Sequence, residues 1–250
     1  MNERVVILIT GRLKSTRLKR KALLEIEGRP MFAHMIDRLK RAKVPAEIVL
    51  CTSTIEQDDP LEELALKEGI QCFRGHPDDV LVRLLGAAQK FNADHVINCM
   101  ADNPLTDPEY IDRLAEYHLE GGFDYTRTEG LPLGLFSYAM KTKALEAVCD
   151  LKDDEDTEIW GEYFTITGRF ECGVLEVDDP EVIFPELRLT VDTAQDFELM
   201  SRVIGSLKDE DAFEIRKIVK FCRDNPELLE LNQDVIQKKG HAVKLKEDRL

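Results

Sequence analysis

The sequence predicts an α/β protein built on a parallel sheet with helices on both faces. Two observations carry this. Short β-branched, apolar runs recur at RVVILIT (4–10), AEIVLCT (46–52), IQCF (70–73) and DHVINCM (94–100), each the length of one buried strand. Each run is followed by a stretch with apolar residues at helical spacing, and steady alternation from residue 4 to about 120 implies parallel strands joined by crossover helices.

Pro30 opens the first helix, with Met31, Phe32, Met35, Ile36 and Leu39 on one face; proline suits this position because the first helical N–H has no partner to lose. Asp59 and Pro60 start the second, Asp79 caps a third carrying Val80, Leu81, Leu84, Leu85 and Ala88, and Pro108 starts a fourth, all by the same start signals. Near residue 121 the rhythm breaks. Gly121, Gly122 and Gly130, the acidic run DDEDTE at 153–158 and mixed strand patterns to 177 predict a small acceptor or dimerisation subdomain over about 121–185. LRLTV at 187–191 predicts a further parallel strand, followed by a helix from Ala194 through Ile204. Two more helices are expected around 211–223 and 226–238, and the charged tail after Gly240 is expected to fray. The expected organisation is a main domain over 1–206 and a helical extension over 207–250.

Composition narrows the function. A chain of 250 residues with 43% hydrophobic residues can bury a sizeable core. A formal net charge of -15 argues against a broad nucleic-acid surface, which needs a basic face. The run at 4–10 is far too short to span a bilayer and no small-residue cleavage site follows it, so no membrane attachment and a cytoplasmic location are expected. Cys51, Cys72, Cys99, Cys149, Cys172 and Cys222 include no CxxC pair, which points to reduced, mostly buried thiols rather than zinc or disulfides. The histidines His34, His76, His95, His118 and His241 show no metal or triad spacing.

Against this acidic background, Arg12, Lys14, Arg17, Lys19, Arg20 and Lys21 crowd into ten residues directly after the first strand. Such self-repulsion at a strand's carboxyl end is expected where a polyphosphate binds. Gly11 permits the sharp exit from the strand, Ser15 and Thr16 offer hydroxyls and backbone donors, and Arg12, Arg17 and Lys21 can reach phosphate oxygens. Neither the Walker A spacing nor G-x-G-x-x-G occurs, so a P-loop ATPase and a dinucleotide fold are not signalled.

Ligands of open parallel sheets lie across the strands' carboxyl ends, so the loops after the later strands supply the remaining candidates. ADNPL at 101–105 puts Asp102 there, and LTVDTAQD at 189–196 puts Asp192 at the same rim. Two carboxylates so placed fit a hard cation such as Mg2+, bridging them to substrate phosphates; singly, each also reads as a turn former or a helix cap. Thr52 and Ser53 after the second run, with Arg74 and Gly75 in FRGHPDDVLVR at 73–83, are placed to meet a nucleotide's base or phosphates. Asp79 is counted with them, although capping the following helix is its first reading. DxD matches at Asp154 to Asp156 and Asp209 to Asp211 fall in general acidic runs.

The motifs R-x-x-S-T-R-L-x-x-K, F-R-G-x-x-D-D-V-L-x-R, D-x-P-L and L-T-V-D-T-x-x-D, in this order, resemble the SpsF-like branch of the cytidylyltransferases. That branch is named for spore coat polysaccharide biosynthesis and is similar to the enzymes that make CMP-Kdo and CMP-sialic acid. The resemblance covers residues 4 to about 206, and the C-terminal helices resemble that branch's extension. It implies a Rossmann-like nucleotidyltransferase (GT-A-like) three-layer fold with CTP across the strand ends. It further implies that Arg12, Ser15, Arg17 and Lys21 bind phosphate, that Asp102 and Asp192 hold Mg2+, and that Arg12, Lys21 and Asp102 carry catalysis. The implied partners are CTP and a small acidic acceptor, either an acidic sugar or a phosphate or phosphonate.

An anionic acceptor calls for a further cation, with Arg127, Lys141, Lys143, Arg169 and Arg188 as candidates. The chain departs from the family pattern at Lys19, where proline is usual, at Ala101, where glycine is usual, and at 155–170, where many relatives have a histidine-containing segment. A GT-A-type glycosyltransferase, which would release a nucleotide rather than pyrophosphate, is the alternative of similar architecture. A homodimer through the 121–185 segment is expected. Light scattering at micromolar concentration should return the mass of two chains, and a monomer there contradicts the expectation.

Overall fold

A computed structural model describes residues 3–207, 214–237 and 242–246. Strand β1 (Val5–Thr10) runs into the basic loop, after which β2 (Glu25–Ile26) and β3 (Arg29–Pro30) form a short hairpin ahead of α1 (Met31–Leu39). The alternation then proceeds through β4 (Glu47–Ser53), α2 (Asp59–Lys67), β5 (Gln71–Gly75), α3 (Val80–Lys90), β6 (His95–Met100) and α4 (Pro108–Gly121). Next come β7 (Tyr125–Glu129), β8 (Tyr138–Lys141), α5 (Thr142–Leu151), the short α6 (Glu162–Thr165) and β9 (Cys172–Glu176). Helices α7 (Ala194–Ser206) and α8 (Ile215–Asp224) and a 3-10 turn at Pro226–Leu231 follow.

All the long strands join one seven-stranded sheet in the order β5-β4-β1-β6-β8-β7-β9. The first four are parallel, β8 runs antiparallel to both β6 and β7, and β9 is parallel to β7. The 121–185 segment therefore extends the main sheet instead of building one of its own. Residues of β1 alternate between its two faces, as expected of a strand covered on both sides. Val5, Ile7 and Ile9 pack with Phe32, Met35 and Ile36 of α1, while Val6 and Leu8 pack with Leu81 and Leu84 of α3 and with Leu145 and Val148 of α5.

Several sequence expectations need correction. The run at 187–191 joins no strand ladder among the described residues; its only β-pairing there is an isolated bridge between Leu133 and Arg188. Its period-two pattern is satisfied by packing, because Leu187, Leu189 and Val191 are buried against Leu199, Val203, Ile215 and Ile218 under α7 and α8. The second C-terminal helix is only the 3-10 turn, followed at Asn232 by a buried amide that turns inward. The beginning of the first expected helix, at 211–213, and Lys238 at the end of the second lie outside the described residues, as do His241 and the DxD match beginning at Asp209. Residues 242–246 do not fray. Asp153 donates its N–H to the Lys244 carbonyl at 2.9 Å, Lys246 donates to that of Leu151 at 3.0 Å, and Val243 and Leu245 pack on the core. Of the six free cysteines, Cys51, Cys99 and Cys222 are buried, Cys72 and Cys149 half-buried and Cys172 exposed.

The 187–191 segment is held over the strand ends by close backbone packing. Leu189 donates its N–H to the Leu133 carbonyl at 2.7 Å. Gly134 beside it sits at φ +102°, and a Cβ there would lie 2.5 Å from both the Leu189 carbonyl carbon and the Thr190 nitrogen. Both the backbone conformation and the contact exclude a side chain. Gly134→Ala should lower stability by about 2 kcal/mol in urea unfolding, and a variant as stable as wild type contradicts this packing account.

Candidate active site

A cleft of about 350 Å3 opens at the carboxyl ends of β1 and β6, within the span of small-molecule sites, roughly 300–1,000 Å3. Its centre is Lys21. The ammonium donates to Asp102 Oδ2 at 2.9 Å and to Asp192 Oδ1 at 3.0 Å, joining a loop residue to carboxylates 81 and 171 positions further along the chain. Arg17 reaches the same Asp192 Oδ1 at 3.1 Å, and Arg188 holds Asp192 Oδ2 at 2.9 Å.

Local structure explains how each group arrives. The left-handed Arg20, at φ 53°, turns the basic loop into a 3-10 turn whose first residue is Lys21 and whose Ala22 is buried in the core. Asp102 follows the last residues of β6, and its carbonyl accepts the Val191 N–H at 2.8 Å, so one backbone bond ties the two carboxylate-bearing loops together. Gly11 and Ala101 meet where those loops leave neighbouring strands; a Cβ on Gly11 would sit 2.9 Å from the Ala101 Cβ. The basic loop is also pinned from behind. Asp58 accepts the Leu13 N–H at 2.7 Å, Gln57 donates to the Leu13 carbonyl at 3.1 Å, and Ser53 donates its hydroxyl to Asp58.

Charge in the cleft is compensated within the chain. Arg12 is paired with Asp78 at 3.0 Å and Glu158 at 2.8 Å and donates to the Pro77 carbonyl, while Lys14 shares Asp78 at 3.0 Å. Those two acids are half-exposed, so exchanging them for another anion costs little. Burial works against the Lys21 ammonium, but Asp102 and Asp192 outweigh it and hold its pKa above the ordinary lysine value. Burial likewise opposes ionised Asp192, and Lys21, Arg17 and Arg188 together hold its carboxyl below the ordinary range. The set is a ring of exchangeable contacts: an anion can take the cations, and a cation can take the carboxylates.

Of the residues proposed from the sequence, Gly11, Arg12, Ser15, Thr16, Arg17, Lys21, Asp102 and Asp192 all line this cleft. Five others lie elsewhere. Arg74 spends its guanidinium on the carbonyls of Ser53 and Ile55 and on Asp59 and Glu62. Thr52 and Ser53 are fully buried, and Ser53 acts on the loop only through Asp58. Gly75 makes room for Phe73 and Arg83, since its Cβ would lie 2.7 and 3.1 Å from them. Asp79 caps α3 through the Val82 N–H at 3.1 Å and binds Thr157 and Lys152, fastening the acidic segment to the mouth of the cleft. None of the five cations suggested for an anionic acceptor lines the cleft; Arg127 pairs with Glu129, Lys141 with Asp124, and Arg188 with Asp192 and Asp196.

Sequence reasoning passed over Arg83, Asn103, Glu158, Trp160 and Gln237, all in the cleft wall. Arg83 is the sharpest omission. It is 1% exposed, its Nη1 donates to the His76 and Pro77 carbonyls, and its Nε has no hydrogen-bond partner. Burial, together with Arg12 beside it, pulls its pKa down to about 10.

A mostly parallel sheet with a basic loop after its first strand and two carboxylates at its carboxyl rim has the nucleotidyltransferase fold. The chain belongs to the cytidylyltransferase family, whose model matches residues 6–248. It is similar to the spore coat polysaccharide biosynthesis protein SpsF of Bacillus subtilis, with 27% identity covering 91% of this chain and 97% of that one. Among solved structures, a cytidylyltransferase from Leptospira borgpetersenii superposes with a TM-score of 0.85 at 26% identity, covering 96% of this chain and all of that one. CMP:2-keto-3-deoxy-manno-octonic acid synthetase, solved as a complex with CTP, superposes with a TM-score of 0.66 at 18% identity over 82% of this chain and 99% of that one.

The charge ring has a pH signature. A carboxyl whose folded pKa is depressed adds stability above the unfolded aspartate value, roughly 3.9, and that stability is lost as pH falls through the lower folded value. The raised Lys21 pKa acts at the other end: its contribution is present below roughly 10.4 and is lost as pH rises through the folded value. At pH 7, Asp192→Asn should cost about 2 kcal/mol, below the roughly 3–5 of a fully buried pair because Arg17 stays partly solvated. Urea unfolding should show the gap narrowing as pH falls below the unfolded aspartate value of roughly 3.9, and a gap that stays constant there contradicts the assignment.

Proposed function

We propose that the chain transfers CMP from CTP to an acceptor oxygen with release of pyrophosphate, the triphosphate lying against residues 11–21 and Mg2+ held by Asp102 and Asp192. The observation that carries the reading is the Lys21 ammonium seated between two carboxylates from separate loops, in a cleft that the basic loop helps to wall. A position that accommodates one cation between two hard oxygen donors suits a second. Among the described residues no group of three or more His, Cys, Asp or Glu could hold a metal ion. Two protein carboxylates, with substrate phosphates and water completing the shell, is the usual pattern for magnesium. Bound there, Mg2+ supplies charge neutralisation at the attacked phosphate.

In this reading the acceptor oxygen attacks the α-phosphorus in line. The new O–P bond forms as the bond to the bridging oxygen of the β-phosphate breaks, that oxygen leaves with the electron pair as pyrophosphate, and a hydroxyl acceptor gives up its proton to solvent. Arg12, Arg17 and Lys21 exchange their acidic partners for phosphate oxygens and compensate the charge that grows on the leaving group, so catalysis is mainly electrostatic and positional. The family and the CTP-bound neighbour support cytosine as the base. The likeness to SpsF and to CMP-sugar enzymes supports an acidic sugar or related acceptor in surface polysaccharide or glycoconjugate precursor synthesis. Lys14, outside the set of Arg12, Arg17 and Lys21, is an exposed cleft cation that an anionic acceptor would meet.

A cytoplasmic homodimer belongs to the same proposal; among the described residues no helix is long and apolar enough to cross a membrane. With CTP, Mg2+ and a panel of acidic sugars, wild type should release pyrophosphate, and Lys21→Ala and Asp102→Asn should each lose about 1,000-fold in rate. Near-normal turnover in either variant overturns the assignment.

A further inference from the structure

The contacts that orient Asp192 come partly from beyond the sequence motifs. Arg188, behind the cleft and about nine-tenths buried, donates from Nη2 to Asp192 Oδ2 at 2.9 Å and from Nε to Asp196 Oδ1 at 2.9 Å. Its remaining nitrogen, Nη1, donates to the side-chain oxygen of Gln237 at 2.5 Å. Asn232, 4% exposed, donates its amide to the Arg188 carbonyl at 3.1 Å and to Asp196 Oδ1 at 2.9 Å. Asp196 Oδ2 in turn accepts the backbone N–H groups of Asp192 and Thr193, each at 2.9 Å. All three guanidinium nitrogens thus end on fixed acceptors, one of them in the C-terminal segment.

The arrangement has a chemical consequence. With Oδ2 committed to Arg188, Oδ1 is the oxygen that Asp192 presents to Lys21 and Arg17. We propose that Asn232 and Gln237 are positioning residues for the candidate metal carboxylate: acting through Arg188, they hold Asp192 so that Oδ1 is offered to the bound cation. The C-terminal segment is in this sense part of the active site, and Gln237 reaches the cleft wall itself. The inference rests on the reading of Asp192 as a metal ligand. Partners that orient a ligating group from behind commonly govern metal affinity by 10- to 100-fold when removed.

The test is Mn2+ binding to the full chain with CTP present and no acceptor, followed by electron paramagnetic resonance, alongside CTP binding in EDTA and thermal unfolding. Asn232→Ala should weaken Mn2+ binding about 10-fold. Gln237→Ala, at an exposed position, should weaken it in the same direction with an unchanged melting temperature. CTP affinity in EDTA should be unchanged in Asn232→Ala, whose side chain lies behind the cleft. Wild-type Mn2+ binding matched by both variants overturns this inference alone, whereas a wild type that takes up no Mn2+ with CTP overturns the metal reading and this inference with it. If Gln237→Ala binds normally while Asn232→Ala loses Mn2+ affinity, metal-free CTP affinity and melting temperature together, Asn232 is a folding residue and the proposal fails.

Discussion

Three cations, Arg17, Lys21 and Arg188, converge on one carboxylate, Asp192, and Lys21 carries the connection on to Asp102. The upper rim of the molecule depends on this cluster. β1 and β6 lie side by side, so their loops leave the sheet together. The stretch leading to Asp192 is laid across them by the Val191 bond to Asp102 and the Leu189 bond to Leu133. Backbone geometry brings the carboxylates close enough to repel, and the cations make that proximity stable. Such a cluster gains from mutual attraction only while its members stay paired, because an isolated charge at this depth is costly.

The same bookkeeping of charge explains how an acidic chain can carry a polyanion site. With a net charge of -15, the long-range field repels a nucleotide, and binding depends on short-range cations arranged in one place. Those cations are kept compact in the ligand-free chain by acids that differ in accessibility. Asp78 and Glu158 on Arg12 are half-exposed, whereas Asp192 is nine-tenths buried. The outer pairs are therefore the easily exchanged ones and the inner cluster the persistent one, which suits a cleft that first captures phosphate at its mouth and then rearranges at its centre. The family to which the chain belongs points to a cytidine nucleotide as that phosphate-bearing ligand; in the function proposed above, the inner cluster is the place for its counter-ion.

Much of the fold was legible because burial on both faces writes itself into a strand as an uninterrupted apolar run, as at Val5 to Ile9. The helix starts were legible where a cap or a proline marks them, as at Asp79 and Pro108. β7, β8 and β9 were not, because their four or five residues mix polar and apolar positions and their pairing order depends on contacts far apart in sequence. LRLTV misled for a related reason: alternation reports one buried face, and α7 and α8 provide that face as well as a neighbouring sheet strand would. At the cleft, residues on a loop that directly follows a strand end could be placed, so Arg12, Arg17, Lys21 and the two aspartates were expected together and do line one cleft. Arg74 and Arg83 could not be told apart, because which of two arginines turns inward is decided by Asp59, Glu62 and the loop carbonyls around them. Asn232 and Gln237 carry no sequence signal, since amides act here only through the neighbours the fold brings to them.

The central claim is that Lys21 holds the place between Asp102 and Asp192 until substrate and metal arrive, and then serves the triphosphate. A crystal structure with Mn2+ and a non-hydrolysable CTP analogue tests this directly, since manganese is located by its anomalous scattering. The account predicts an anomalous peak coordinated by Asp102 and Asp192, with the Lys21 ammonium moved onto a phosphate oxygen. An analogue bound with Lys21 still bridging both carboxylates, and manganese elsewhere or absent, would contradict it.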